Sequence, residues 1–279
     1  FRCEIGRYPR PAVTLEHSEA IRMFPILFEF SGGTRIYAQP TFVYLSVAIV
    51  ILITPWFAAR LEGLPRWRVA GLVTCTAVSA IIGARAQYIL IRYFLAPWRL
   101  QQYDVSFLSL RQGASAAGAI LAPIVVSPFA ARFFSVSLKK FADSQVPVAG
   151  IAIAVARVGC FLAGCCYGVT CDHAWCLRYP ANSLPQMRQS VDAGAPPGLM
   201  SAAVHPIALY FAGAGALLTL VSLFLYRRKT YDGELALYGL VWIAISTTLI
   251  ECLRAHSGDT VLILGIEHRV LLSFVFAVL

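Results

Sequence analysis

Charged residues are scarce in this chain, and their scarcity excludes most soluble folds. Only 13% of the 279 residues are charged, 58% are hydrophobic, and the mean hydropathy is +0.70. Soluble domains carry about 25% charged and about 45–50% apolar residues. The composition therefore predicts an integral membrane protein, and the length allows roughly seven helical spans of about 20 residues each.

Motifs of soluble enzymes are also missing. The sequence has no P-loop, no dinucleotide-binding fingerprint, no G-x-S-x-G and no H-E-x-x-H. The net charge of +9 does not require a nucleic acid. Basic residues concentrate on the cytoplasmic side of membrane proteins and attract anionic lipid head groups. We therefore expect a membrane as partner, no nucleic acid and no cofactor.

Seven apolar runs predict an all-α bundle of about seven transmembrane helices. Strand-like alternation of polar and apolar residues is absent, which argues against a barrel. The helical domain is expected to cover residues 40–279, after an extracytoplasmic segment at 1–39. The predicted spans are 40–59, 69–91, 114–129, 146–163, 206–226, 235–250 and 261–279.

Basic residues predict the orientation of these helices. They cluster in the first, third and fifth loops, which are short and should be cytoplasmic. The N-terminus is then outside and the C-terminus inside, and the long fourth loop, 164–205, forms a small outward-facing, Cys-rich cap. Three arginines in or beside the second loop run against the pattern. The clusters are Arg60, Arg66 and Arg68; Arg132, Lys139 and Lys140; and Arg227, Arg228 and Lys229.

Arg157 is the most informative position, because it ends an otherwise uncharged apolar run. Residues 156–168 are Ala-Arg-Val-Gly-Cys-Phe-Leu-Ala-Gly-Cys-Cys-Tyr-Gly. A charge within a membrane segment is costly, and it is a functional-site hypothesis by default. The glycines, Gly159 and Gly168 among them, favour bending of the backbone or close approach of a ligand.

Three distant segments bring charges to one predicted depth. In the expected orientation Arg85, Arg157 and Glu251 lie in the outer half of the membrane, with Arg254 near its surface. Such a set suits an anionic group, most simply a lipid phosphate, because guanidinium pairs with phosphate in a bidentate way. The alternatives are snorkelling arginines and a plain pair between Glu251 and Arg254 on one helix face.

His205 and Tyr210 open the fifth predicted helix. A histidine at a membrane boundary can act as a general base or bind a head group. The alternative is an interfacial residue before a helix-starting proline.

Four cysteines of the fourth loop are disulfide candidates: Cys165, Cys166, Cys171 and Cys176. Together with Cys160 they do not repeat a C-x-x-C pair, so we expect no metal site. An oxidising compartment favours disulfides, whose connectivity the sequence leaves open. A catalytic cysteine also stays open, with no evident base beside it.

Five motifs in order resemble the prolipoprotein diacylglyceryl transferase family. The resemblance begins at Met23 and lies in residues 23–29, 83–88, 157–168 and 205–210, and in the C-terminal pattern of Gly233-Glu234, Tyr238-Gly239 and 251–254. It implies a multi-pass transferase of the bacterial cytoplasmic membrane. Such an enzyme moves diacylglyceryl from phosphatidylglycerol, or another anionic phospholipid, to a cysteine thiol of a secreted protein.

The resemblance and the charge pattern together predict the site. The expected catalytic residues are Arg157, Glu251, Arg254 and His205. The expected substrate-binding residues are Arg85, Gly159, Gly168, Tyr210 and Tyr238.

The chain departs from the family pattern at several positions. The family has asparagine where Cys160 stands and an acidic residue where Cys165 stands. Its third-helix histidine falls near residues 115–118, which contain none, and Thr247 stands where the family has an arginine. Two other functions therefore stay open. One is transfer of a glycerophosphate head group to a glycan, and the other is a non-catalytic membrane subunit that keeps the lipid pocket.

Overall fold

The computed structural model describes residues 23–31, 33, 35–95, 116–193, 200–255, 262–263 and 266–267. These residues form seven helices and four short strands. The helices are α1 (Ala38–Glu62), α2 (Arg66–Leu95), α3 (Ala116–Phe133), α4 (Leu138–Leu162), α5 (Leu184–Ala193), α6 (Ile207–Tyr226) and α7 (Glu234–Glu251). The strands are β1 (Ile26–Glu29), β2 (Arg35–Tyr37), β3 (Leu262–Ile263) and β4 (Ile266–Glu267).

Five of the described helices are long and apolar enough to cross a bilayer: α1, α2, α4, α6 and α7. α3 is apolar but shorter, and Pro123 and Pro128 each remove a backbone donor within it. The prediction of an all-α integral membrane fold is confirmed.

Two predictions about individual elements need correction. One of the seven described helices, α5, lies in the fourth loop and was not predicted, because this segment has too few apolar residues to indicate a helix. The predicted span at 261–279 lies outside the described residues, apart from β3 and β4. At those four positions a helix was the wrong prediction, because they pair as antiparallel strands. The β-branched Ile263 and Ile266 favour that extended backbone.

Contacts divide the chain into two compact units. Unit 1 lies within Phe1–Ser46, Ala149–Phe224 and Tyr238–Leu279, and unit 2 comprises Val47–Val148 and Leu225–Leu237. In unit 1, β1 and β2 pair as an antiparallel hairpin directly before α1. The boundaries between the units fall within helices, for example within α1 and within α4.

Unit 2 is built around the packing of α2 against α3. Gly83 and Gly118 let the two backbones approach, since a Cβ on Gly83 would lie 2.5 Å from the carbonyl oxygen of Gly118. Close approach through small residues is the usual way that helices associate in lipid. The apolar core of the unit is formed by Ala58, Val69, Leu72, Val73, Ala130, Ala131, Val136 and Phe141.

A buried ion-pair cluster ties the α6–α7 connection into unit 2. Lys229 Nζ lies 2.9 Å from Asp143 Oδ2 and also contacts Glu62 and Asp232. Asp143 is fully buried. It accepts hydrogen bonds from two backbone N–H groups at the start of α7. Burial acts to lower the pKa of Lys229, but its hydrogen bonds to Glu62 and Asp143 outweigh burial and raise it.

Candidate functional site

The turn after α4 brings two cysteines together. α4 ends in a Schellman motif, in which the N–H of Cys165 donates to the carbonyl of Cys160 (3.2 Å) and that of Gly164 to Phe161 (3.0 Å). Gly164 has a φ of 65°, a left-handed conformation that glycine adopts without strain. The motif commonly places the side chains at its two outer positions in contact, and both are cysteines here.

Cys166 adds a third sulfur to this pair. It also has a left-handed φ, 61°, and the three Sγ atoms lie within 4.8 Å of one another. None of the three is in a disulfide. Hydrogen bonds from Cys160 and Cys165, followed by the charges of Arg254 and Arg157, hold the pKa of Cys166 well below its usual range. The hydrogen bond with Cys160 raises the pKa of Cys165.

Two arginines from distant segments converge on the Cys166 sulfur. Nη2 of Arg254 lies 3.4 Å from Sγ, and Nη1 of Arg157 lies 3.9 Å from it. Arg254 follows α7 and bonds Glu251 Oε1 at 2.7 Å. The Arg157 guanidinium lies 4.1 Å from the centroid of the Phe211 ring, which orients it without occupying its N–H donors. The site is therefore rich in positive charge at one point.

Backbone pairing at Gly168 holds the surrounding segments in register. Gly168 forms a β-bridge with Arg254, and its N–H donates to the His205 carbonyl at 2.9 Å. A Cβ at this position would lie 2.6 Å from both the His205 Cβ and the Leu253 carbonyl oxygen. No real Cβ tolerates such contacts, so the crossing requires glycine.

His205 lies among aromatic side chains. Its Nδ1 is 3.0 Å from the Tyr210 hydroxyl, and its ring centroid is 6.3 Å from that of His173. His173 in turn stacks on Trp175 at 4.7 Å. Burial, and then the charge of His173, lower the pKa of His205 below its ordinary 6.5. The imidazole is therefore neutral at pH 7 and able to accept a proton.

A disulfide joins Cys171 to Cys176 in the same loop. The Cys171 N–H donates to the Ala203 carbonyl, and Val204 pairs with Leu177 directly after the disulfide. The other two candidates, Cys165 and Cys166, remain thiols.

Within unit 1 the structure brings several of the predicted residues together. Arg157 and Arg254 both contact the Cys166 sulfur. Arg254 also forms the predicted ion pair with Glu251. His205 and Tyr210 adjoin this group through Gly168.

The binding roles of three other residues, Arg85, Gly159 and Tyr238, stay predictions, and their surroundings are as follows. Arg85 belongs to unit 2, where it is buried and its guanidinium lies 5.5 Å from the Tyr88 ring. Gly159 packs against Phe42 of α1, a helix contact that needs no lipid. Tyr238 is half-exposed on α7, and about 20 Å of helix axis separates it from Glu251 at 1.5 Å per residue.

Sequence reasoning missed His173, Trp175 and Phe211, since single aromatic residues in a loop or a span carry no local signal. It also missed the convergence of Cys160 with Cys165. A usable signal was present there, because Gly164 follows an apolar helical run at the position where a Schellman motif places its glycine.

The fold and this site define a multi-pass membrane protein in which two arginines converge beside the loop at 164–205. Residues 25–279 match the family model of prolipoprotein diacylglyceryl transferase, so the chain belongs to that transferase family, as its motifs predicted.

Similar curated proteins carry the name phosphatidylglycerol–prolipoprotein diacylglyceryl transferase. The protein of Shouchella clausii is 27% identical over 85% of this chain and 81% of its own length. That of Geobacter sulfurreducens is 26% identical over 71% and 69%, respectively. That of Clostridium tetani is 23% identical over 87% and 90%.

Proposed function

We propose that this protein transfers diacylglyceryl from phosphatidylglycerol to the cysteine thiol of a secreted prolipoprotein in the bacterial cytoplasmic membrane. The observation that supports it most is the convergence of Arg157 and Arg254 on one point within the family-matched region. Two guanidinium forks at one point suit a phosphate, which they bind through paired N–H donors. They also stabilise the charge that develops on the departing glycerol phosphate.

Glu251 holds Arg254 in place and offers a further contact to the lipid. Its Oε1 accepts from Arg254, while its Oε2 is buried and lacks a hydrogen-bond partner among the described residues. Buried polar atoms nearly always have a partner. A hydroxyl of the phosphatidylglycerol head group would supply one, and this would select that lipid over lipids without a hydroxyl there.

His205 is our candidate for the base that the third helix lacks. If its Nδ1–H donates to the Tyr210 oxygen, Nε2 keeps its lone pair and accepts the proton of the acceptor thiol. The thiolate then attacks the carbon of the diacylglyceryl group that bears the phosphate ester. An S–C bond forms, the C–O bond breaks, and glycerol phosphate leaves with the electron pair.

The orientation is part of the proposal. We infer that the N-terminus and loop 164–205 face outward, which the basic loops and the Cys171–Cys176 disulfide both support. An impermeant thiol reagent applied to intact cells should label a cysteine introduced in the cap and spare one introduced at Lys139. Labelling at position 139 would reverse the assignment.

Purified protein with phosphatidylglycerol and a cysteine peptide tests the reaction. Glycerol phosphate release that requires the cysteine, and not a serine peptide, is expected. Release of diacylglycerol would indicate head-group transfer instead, and a lack of both products would indicate a non-catalytic subunit. Arg60→Ala serves as a matched control for loss of one arginine, since Arg60 lies at the end of α1 against Trp56.

A further inference from the structure

Three side chains of the site have no part in this reaction: Cys160, Cys165 and Cys166. We propose that they bind one zinc ion whose fourth coordination position takes the thiol of the acceptor protein. This inference rests on the proposed function and deepens it. The turn that brings the three sulfurs together also lies against both arginines.

The spacing of the sulfur atoms suits a metal. Zn–S bonds of about 2.3 Å place the sulfurs of one ion roughly 3.8–4.0 Å apart. All three Sγ atoms already lie within 4.8 Å of one another, so small side-chain rotations complete the site. The Schellman hydrogen bonds hold Cys160 and Cys165 in place before any metal binds. This is why the C-x4-C-C spacing can bind zinc although it matches no common zinc pattern.

The set of donors favours a site with one open position. Thiolates are soft ligands that select zinc or Cu(I). Three protein ligands plus an exchangeable fourth are typical of catalytic zinc, whereas structural zinc has four. Among the described residues the other two loop cysteines, Cys171 and Cys176, are joined to each other, which leaves them unable to bind as thiolates. In the proposed site the fourth position takes the thiol of the acceptor protein.

Charge balance supports a divalent ion. Three thiolates and Zn²⁺ together carry one negative charge. Arg157 and Arg254 contribute two positive charges and Glu251 one negative charge, so the charges of these described groups sum to zero before the lipid and the acceptor bind. A neutral assembly is the least costly one at a membrane boundary. The N–H groups that the arginines direct at Cys166 Sγ also orient that ligand, as outer-shell donors do at other metal sites.

A zinc ion here would solve the problem of thiol activation. A thiol that coordinates zinc loses its proton at neutral pH, and here the proton passes to His205 or to water. The bound sulfur then attacks the glycerol carbon, and glycerol phosphate departs beside Arg157 and Arg254. The product is an uncharged thioether, which binds zinc weakly and leaves. No oxidant or reductant is needed.

Metal binding by the full-length protein in detergent is the first test. Elemental analysis should find about one zinc per chain, and Co²⁺ in its place should give a thiolate charge-transfer band and the visible bands of a tetrahedral site. Cys160→Ser, Cys165→Ser and Cys166→Ser should each weaken Co²⁺ binding by roughly tenfold or more. Cys75→Ser and Cys252→Ser, at exposed cysteines outside the cluster, should leave it unchanged.

A second measurement does not depend on whether the variants fold. Titrating the unmodified protein with an organomercurial should release its zinc as the three cluster thiols react, in addition to the exposed Cys75 and Cys252. A metal-free protein that takes up no Co²⁺, or a disulfide among the three cysteines in protein taken directly from membranes, would overturn the proposal.

The open position is tested with a peptide. A cysteine peptide should shift the visible bands of the Co²⁺ protein, and the matched serine peptide should not; equal spectra with both would overturn the proposed role. Full transferase activity in chelator-stripped protein would reject the zinc and leave the proposed function intact. A cysteine-dependent spectral shift without either reaction product would support the site and reject the function.

Discussion

Two groups of buried charge in this protein differ in how their charges are matched. Around Lys229 in unit 2 acids outnumber bases, and the excess is met by the Tyr226 hydroxyl and by backbone N–H groups at the start of α7. Around Cys166 in unit 1 arginines outnumber carboxylates, and one carboxylate oxygen of Glu251 lacks a partner among the described residues. We interpret the first group as structural and the second as part of the proposed lipid site.

The largest effect is expected from breaking the matched group. Lys229→Met leaves Asp143 and Glu62 buried without their counter-charge and should destabilise the protein by roughly 3–5 kcal/mol. Denaturant unfolding in detergent measures this. Arg66→Met, at an exposed arginine of α2, should change little. Equal stability of Lys229→Met and the unaltered protein would show that the group is not structural.

Breaking the unmatched group should affect activity and spare stability. Arg157→Ala should reduce turnover by about 10²–10³-fold, the usual cost of one transition-state donor. Arg157→Lys should keep a small fraction of activity, because an ammonium cannot form the bidentate contact. Phosphatidylglycerol turnover at matched protein yield is the measurement, with Arg60→Ala as control. Full activity of Arg157→Ala would make the arginine structural and remove the main support for the proposed reaction.

Removing the disulfide between Cys171 and Cys176 should destabilise the fourth loop of unit 1 alone. Cys171→Ser with Cys176→Ser should cost about 2 kcal/mol, since the bond closes a short loop. Under non-reducing conditions the loop 164–205 of this double variant should be cleaved by protease faster than that of the unaltered protein. The stability of unit 2, which contains the Lys229 group, should not change. Unchanged proteolysis would mean that backbone pairing alone holds the loop.

The smallest effect is expected at Tyr210. Activity should fall as the pH drops through the pKa of His205, which burial lowers below the ordinary 6.5, because protonation removes the base. Tyr210→Phe removes one hydrogen bond, so activity should fall about fivefold, matching about 1 kcal/mol. The fall in activity at acid pH should occur at a lower pH in this variant, because the Tyr210 hydroxyl oxygen stabilises the protonated imidazole of His205. Tyr44→Phe, at an exposed tyrosine of α1, is the control. A pH profile of Tyr210→Phe that does not shift would show that Tyr210 does not act through His205.

Hydropathy was enough to predict the all-α membrane fold, because a long apolar segment in lipid forms a helix, in which its backbone N–H and C=O groups hydrogen-bond to each other. It could not predict partners between distant segments. In the sequence Lys229 indicates only the topology, yet in the structure it contacts Glu62 of α1 and Asp143 of α4. Gly159 was predicted to bind substrate because glycines favour close approach of a ligand, and its packing against Phe42 could not be predicted from the sequence. Arg157 was identifiable because an isolated charge in an apolar run is visible locally.

Crowding at Gly168 limits how this protein can vary among natural relatives. Lipid-facing side chains can change in size because fluid acyl chains adjust around them. The Gly168 α-carbon lies instead between two protein backbones, with a carbonyl oxygen and a Cβ at 2.6 Å from any added methyl group. Neither neighbour can move without displacing Arg254 or His205. We therefore expect activity to survive extensive change on the lipid-facing surface and to be lost when alanine replaces Gly168.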